Sequence, residues 1–403
     1  MNGAVRGVPV VRLAARGDGV TVDGRFVPGA VPGDVVAPDG RVWPGPGRAP
    51  PVCRHFGACG GCRLQHVAEP ELARYVRERC LEPLGRLGIR PDDVAPVHLS
   101  PSGARRRATL RAVRRGGRVE LGFSAEGSHR LIDLAECPVL HPELWALVGP
   151  LRALLADLLP EGVVAGVTML RTEAGPDLLL SNVAADRPDR LGRLADFARA
   201  TGLARLSVEG PLGVETVVAF ASPVVSLGGV PVVVPPGAFL QATSDGEAAL
   251  VAAVAASVGA ADSVADLFAG LGTFALPLSA RARVHAVEGA RAMCQALDLA
   301  ARAAGRPIAV EHRDLFRRPL AGPELDRFEA VVIDPPRAGA QAQSQALARS
   351  RVPVVVAVSC NPATFARDAA TLVAGGYRLA RLWPVGQFRW STAVELVARF
   401  SLC

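Results

Sequence analysis

A chain of 403 residues, half of them apolar, is long enough to bury the cores of two or three domains. It holds no apolar run of the ~18–20 residues that a membrane-spanning helix needs and no apolar leader near Met1, so a soluble, cytoplasmic protein is expected. The net charge is +7 and all 45 basic residues are arginine, permanently charged planar forks suited to phosphate, a balance that fits a nucleic-acid partner and no membrane.

Residues 1–49 read as a small β module. Val8–Ala14 and Gly19–Val27 have strand composition, VPGAVPGDVV (Val27–Val36) supplies turns, and PGPGRAPP (Pro44–Pro51) reads as a linker. Then comes CRHFGACGGC, which sets Cys53, Cys59 and Cys62 within ten residues. A reducing compartment disfavours disulfides, so these thiols read as metal ligands or catalysts. The five-residue gap is longer than zinc knuckles use, and thiolate-only ligation also suits iron–sulfur; both metals stay open on spacing. Glu69 to Leu87 has helical periodicity. Ala108–Val113 and Arg118–Phe123 alternate as two strands, with Arg115-Gly116-Gly117 at the turn. Arg105, Arg106, Arg107, Arg111, Arg114, Arg115 and Arg118 gather there, as a solvated sheet face or a phosphate-contacting surface. Residues 144–235 mix short helices and strands without a chemical motif.

From about Val251 apolar strands alternate with helices, the pattern of an α/β domain with a mostly parallel sheet. Ligands of such sheets sit at the carboxyl ends of the strands. The first strand runs DSVADLF into Asp266-Leu-Phe268-Ala-Gly270-Leu-Gly272-Thr273. Its two glycines alone are a weak signal. The second strand ends at Glu288, suited to a ribose diol, and the third runs into Asp314, suited to an adenine edge. Three acids at three consecutive strand ends point to a nucleoside cofactor. The pattern resembles class I S-adenosylmethionine-dependent methyltransferases.

The fourth strand ends in Asp334-Pro-Pro-Arg337, and the fifth delivers Cys360. Enzymes that methylate amines usually carry an aromatic residue in the slot that holds Arg337. Beside a methyl donor, a nucleophilic Cys360 has a clear use: a thiolate added to C6 of uracil makes C5 a nucleophile. The C5 proton must then leave, and Glu395, in an apolar last strand that would raise its pKa, is the candidate base.

With FLQAT around Gln241, DLFAGLGTF, AVEG, DPPRAG, SCNPATFARD, VELVA and a distant Cys137, the chain resembles the bacterial RNA 5-methyluridine methyltransferases of the iron–sulfur branch that acts on 23S ribosomal RNA. The resemblance covers nearly the whole chain. It implies a class I Rossmann-like α/β domain at 236–403, an iron–sulfur and RNA-binding domain at 50–235, and a short RNA-binding module at 1–49 of the TRAM or OB kind. It implies Cys360 as nucleophile and Glu395 as base, with Gln241, Phe268, Thr273, Glu288, Asp314 and Asp334 around S-adenosylmethionine. It also implies that Cys53, Cys59, Cys62 and Cys137 hold a 4Fe–4S cluster, and that a monomer acts on 23S rRNA or, alternatively, tRNA. Departures stand at the short stretch between Val36 and Cys53, at Gly386, where the family often has Asp, and at Ala393, where it often has His. An amino-methyltransferase and a non-catalytic RNA-binding iron–sulfur protein are the rival readings.

Overall fold

The computed structural model describes residues 7–403. The N-terminal module has five short antiparallel strands: β1 (Val8–Leu13), β2 (Gly19–Thr21), β3 (Phe26–Val27), β4 (Val35–Val36) and β5 (Val42–Trp43). They pair in the order β3-β2-β1-β4-β5, and the ladder is open at both ends. Its own buried core is only Val10, Ala30 and Val36, so the module leans on its neighbours: Leu13 and Val31 join a core shared with the C-terminal domain.

One carboxylate organises this region. Asp34 is fully buried. It accepts from the backbone amides of Val31 and Gly45, each at 2.8 Å, and from Arg48 Nε at 2.9 Å. The Pro44–Pro51 stretch is therefore a packed strap rather than a free linker. A Cβ on Gly45 or Gly47 would lie 1.9 or 2.0 Å from the carbonyl oxygens of Gly33 and Pro32, so glycine is required at both places.

Helix α1 (Glu69–Arg86) starts with Pro70 in its first turn, where no amide is lost. It buries Leu72, Tyr75, Val76, Cys80 and Leu84, one helical face. The two-residue strands β6 (Asp93–Val94) and β7 (His98–Leu99) follow. The expected hairpin is β8 (Arg107–Arg115) and β9 (Arg118–Ser124). Arg115 pairs with Arg118 across Gly116 and Gly117, whose φ values of 57° and 78° are those a type I′ turn demands. Next come β10 (Leu131–Asp133), α2 (Pro142–Ala146), α3 (Val148–Leu158), β11 (Val164–Thr172), β12 (Gly175–Ser181), α4 (Pro188–Ala200), β13 (Arg205–Gly210) and β14 (Gly213–Ala219). These strands form a sheet in the order β10-β9-β8-β11-β12-β13-β14. Helices α3 and α4 cover one face, packing Leu151, Leu155 and Leu194 against Leu110, Val167 and Leu178. Alternation along β8 turns Arg107, Thr109 and Arg111 to the uncovered face.

The hairpin β15 (Val224–Leu227) and β16 (Val230–Val233) leads into the C-terminal domain. That domain runs α5 (Ser244–Val258), β17 (Ser263–Leu267), α6 (Ala275–Leu278), β18 (Arg283–Glu288), α7 (Arg291–Ala303), β19 (Ile308–His312), α8 (Pro323–Asp326), β20 (Ala330–Ile333), α9 (Gln341–Leu347), β21 (Val354–Ser359), α10 (Pro362–Ala374), β22 (Tyr377–Gly386) and β23 (Glu395–Leu402). The sheet order is β19-β18-β17-β20-β21-β23-β22-β6, with β7 also on β22. Strands β17 to β21 are parallel, and β23 enters antiparallel between β21 and β22. This is the doubly wound α/β fold expected from the alternation, with a hydrophobic core on each face of the sheet. The strand order reverses between β17 and β20, which places the binding crevice at their carboxyl ends. Residues 69–99 come early in the chain but pack on the far edge of this sheet.

Replacing Asp34 by Ala would strand Arg48 and two amides. A loss on the order of 3–5 kcal/mol is expected locally, seen as faster tryptic cleavage after Arg41 and Arg48 than in the parent protein.

Candidate active site and cysteine pocket

At the switch point the chain leaves β17 through Phe268, a non-glycine residue at φ +62°. Such a conformation costs about 1–3 kcal/mol and collects at functional sites. Gly272, at φ +89°, passes so close under α7 that a Cβ would lie 2.5 Å from Leu297. Glu288 braces the turn: its carboxylate accepts from Gly270 N at 2.9 Å and Ala290 N at 2.7 Å. Asp314 is exposed after β19 and accepts from the amides of Phe316 and Arg317. Phe316 lies with its ring centre 5.4 Å from that of Phe268, a pairing that sequence reasoning missed because the two rings come from different loops. Thr273 is half-buried in the glycine turn. Asp266 is fully buried, and neither of its oxygens has a hydrogen-bond partner. Burial, with Asp334 adding repulsion, pushes its pKa well above the usual carboxylate range. The Ala275 amide, nearby, offsets this only in part.

The second half of the crevice is set by strand register. Ser359, the last residue of β21, pairs with Leu396 of antiparallel β23. The ladder ends there, and the next residues along the two strands are Cys360 and Glu395, near enough for the Glu395 charge to bear on the thiol. Parallel β20 adds Asp334 beside them, one residue past its last paired residue, Ile333. Glu395 is 5% exposed. Burial first, then Asp334, raises its pKa to about 8, against a hydrogen bond from Gln387 and the charge of Arg337. Burial pushes Asp334 to about 7. Cys360 is half-buried, and burial, Glu395 and Asp334 raise its thiol to about 11, opposed by Arg337.

Gln387 ties the site together. It is buried, its Oε1 accepts from Ala242 N at 3.0 Å, and its Nε2 donates to Gln241 Oε1 at 2.7 Å. It also lies near enough to Glu395 to hold that carboxyl's pKa down, so it stands between two site residues that lie far apart in sequence. At Gly386, one departure from the family pattern, a Cβ would lie 2.6 Å from the end of the Leu99 side chain of β7, so a larger residue there requires Leu99 to shift. Ala393 lends Glu395 no polar group, and Gln387 fills that role.

The cysteines form a second site. Cys53, Cys59, Cys62 and Cys137 are all half-buried and line one small pocket with Gln65, Arg105, Phe123 and Leu134. The loop is pinned in place. Cys53 N donates to Gln65 Oε1 at 3.1 Å, Gly60 N to Ser124 O at 3.0 Å, and Ala135 N to His55 Nε2 at 2.9 Å. Burial raises the thiols of Cys59, Cys62 and Cys137, that of Cys62 to about 12. Among the described residues no three His, Cys, Asp or Glu side chains are set to hold a single metal ion. The thiols line a pocket and do not converge on a point. Cys80 and Cys294 are buried elsewhere, and Cys403 is exposed.

The profile of the tRNA (uracil-5-)-methyltransferase family matches residues 236–397. A protein of Zymomonas mobilis described as an uncharacterized RNA methyltransferase is 45% identical over 392 residues, 97% of this chain and 99% of the relative. The 23S rRNA (uracil(1939)-C(5))-methyltransferase RlmD of Halomonas elongata is 35% identical over 431 residues, 95% of this chain and 86% of the relative. The structure of Pyrococcus abyssi tRNA (uracil-54, C5)-methyltransferase in complex with S-adenosyl-L-homocysteine has the same fold, at a TM-score of 0.74 and 22% identity over 97% of this chain and 99% of that one.

The raised pKa of Glu395 carries a stability consequence. Its carboxyl binds a proton more tightly folded than unfolded, so stability falls as pH rises from its usual 4.5 through about 8. Glu395→Gln is expected to raise Tm at pH 8, by about 1 °C per kcal/mol recovered in a protein of this size, with the gain vanishing in acid. A melting series over pH checks this.

Proposed function

Since this chain belongs to the RNA (uracil-5-)-methyltransferase family, and is an S-adenosylmethionine-dependent enzyme, we propose that it methylates C5 of a uridine in 23S rRNA through a covalent adduct between Cys360 and uracil C6. The observation that carries the reading is the register that brings Cys360 near Glu395 at the mouth of the crevice.

The residues present fit S-adenosylmethionine. Partnerless Asp266 and nearby Asp334 answer its positive charges, Glu288 its ribose hydroxyls, and Asp314 with the Phe268–Phe316 pair its adenine. Gln241 and Thr273 complete the lining. When bound, it supplies an electrophilic methyl group. The Cys360 thiolate adds to C6 and forms the S–C6 bond; the displaced π electrons make C5 the nucleophile, which takes the methyl as its bond to the donor sulfur breaks and the electron pair stays on that sulfur. Glu395 then removes the C5 proton; the C–H electron pair restores the C5–C6 double bond, and the S–C6 bond breaks to free the thiolate. A carboxyl with a pKa of about 8 is well matched to that step. C5 and C6 are attacked from the ring face, so the uridine must leave its stack to enter.

In this reading residues 236–403 perform the transfer. Residues 50–235 bind RNA, with Arg107 and Arg111 on the uncovered sheet face against phosphate. Residues 1–49 are an open five-stranded TRAM-like module whose exposed Phe26 and Trp43 stand beside Arg25 and Arg41. The thiol pocket suits a 4Fe–4S cluster. All four donors are cysteines, and the other metal-binding side chains on its lining, His55 and Glu136, are spent on the amides of Ala135 and Arg54. No described helix is long and apolar enough to cross a membrane, and a cytoplasmic monomer is the form proposed.

RNA transcribed with 5-fluorouridine cannot lose a proton at C5. It is expected to form a denaturant-stable adduct with this protein, absent in Cys360→Ser, and no adduct with the parent protein refutes the covalent route. Cys62→Ser is expected to lose most iron and acid-labile sulfide after anaerobic purification; full retention refutes the cluster assignment. Mapping 5-methyluridine in 23S rRNA and tRNA from a deletion strain decides the target, and loss confined to tRNA overturns the ribosomal assignment.

A further inference from the structure

We infer that Arg106 is a positioning residue of the cofactor site: its buried guanidinium, braced by Glu247, fixes the backbone of Gln241 and Ala242 and through it the Gln241 side chain that meets S-adenosylmethionine. The inference rests on the placement of Gln241 in the cofactor lining above. It concerns an arginine at the start of the central sheet.

The first observation is where the charge goes. Arg106 stands just before β8, in a run of arginines whose pattern alone suits phosphate, yet it is 8% exposed. Its fork is spent on three residues of one chain segment. Nε donates to Gln241 O at 3.1 Å, Nη1 to Ser244 Oγ at 3.2 Å and Nη2 to Glu247 Oε2 at 2.5 Å. Together they span the entry into α5 and its first turn. Glu247 is as buried as its partner. Burial raises its pKa, and the Arg106 charge opposes that rise.

The second observation is that this grip ends at the active site. Arg106 N donates to Ala242 O at 2.9 Å, so backbone and side chain of one arginine hold two consecutive carbonyls. The same segment carries Gln387, which bonds Ala242 N through Oε1 and Gln241 Oε1 through Nε2. A Cβ on Gly246 would lie 2.7 Å from Gln387 Cβ, so the first turn of α5 and Gln387 are in close contact. Gln241 Oε1 is thereby taken. Its Nε2 is left, and among the described residues no group accepts from it. That donor is what the side chain offers a cofactor oxygen.

A buried ion pair is a poor source of stability, because desolvation offsets the attraction. Its use here is geometric. A planar guanidinium presents its donors in fixed directions, so its three acceptors are satisfied together in one arrangement of the segment. Gln241 lies between β16 and α5, outside any strand, and ladder pairing does not place it. The brace comes instead from the sheet that holds β8.

The test is S-adenosylmethionine binding to the full-length protein by calorimetry without RNA, at a temperature where each variant is folded. Arg106→Met, of similar length but without donors, is expected to weaken binding about tenfold, and Gln241→Ala by about the same factor. Because Arg106 acts through Gln241, the double variant is expected to bind no worse than Gln241→Ala alone. Arg106→Lys, which keeps a charge for Glu247 without the fork, recovers only part of the affinity. A parent-like affinity in Arg106→Met, with Gln241→Ala weakened, overturns the inference alone. So do losses that multiply in the double variant, which mark Arg106 as a structural brace that does not act through Gln241. Should Arg106→Met melt below the assay temperature, Arg106→Lys decides: weakening of about threefold or more that disappears in the Gln241→Ala background supports the role, and an unchanged affinity refutes it. If Gln241→Ala itself binds like the parent protein, the placement of Gln241 in the lining is what fails, and the inference falls with it.

Discussion

Strand β23 runs antiparallel between β21 and β22, and the chemistry of the site hangs on that reversal. In the ladder Ser359 meets Leu396. Cys360, just past the end of one strand, therefore stands near Glu395, the acid that begins the other. Had β23 run parallel like β17 to β21, Glu395 would lie at the opposite end of the sheet from Cys360. Leu396, Val397, Ala398 and Phe400 of β23 are each fully buried. Leu396, Ala398 and Phe400 pack in one core and Val397 in the other, so the apolar packing on both faces of the sheet holds the strand that carries Glu395.

The same placement makes the site electrostatically poor and functionally useful. Asp266, Asp334, Glu395 and Cys360 all have raised pKa values, and burial is the first cause in each case. The domain thus holds acidic groups where water cannot stabilise their charges, which opposes folding as pH rises. In the proposed reading the compensation lies in what enters, a positively charged methyl donor beside the acids. Phe268 at φ +62° adds backbone strain at the same place. Strain and desolvation gather in one crevice, and large apolar cores on both faces of the sheet carry the stability that tolerates them.

The segment that delivers the base is held from outside its own domain. Arg63 N and Leu64 N, just past Cys62, both donate to Trp390 O, at 2.8 and 2.9 Å. Arg389 Nη1 donates to Ser100 O at 3.1 Å, and Arg105 of the cysteine pocket lies 5.8 Å from the Phe388 ring centre. Residues 387–394 are therefore clamped between the cysteine loop and the start of the arginine hairpin. The thiol pocket and the active site are thus mechanically one region, even though their residues lie some three hundred positions apart.

Local pattern was enough for much of this protein. Helix α1, the Gly116-Gly117 hairpin, the alternation of β17 to β21 with helices, and acids at strand ends are all written in residues a few positions apart. The motifs around Cys360 and Asp334 made the site legible as chemistry. What the sequence could not decide are relations between distant residues. An apolar run such as Leu396–Phe400 reads the same parallel or antiparallel. The two-residue strands β6 and β7 are too short to show periodicity, yet they close the sheet edge and crowd Gly386. The buried Asp34 that makes a strap of Pro44–Pro51 and the Gln387 bond to Gln241 each depend on which groups meet across the folded chain. Periodicity records which face of an element is buried. Only tertiary structure decides what that face meets, because a polar group acquires its partner, or is left without one, only when packing removes water from around it.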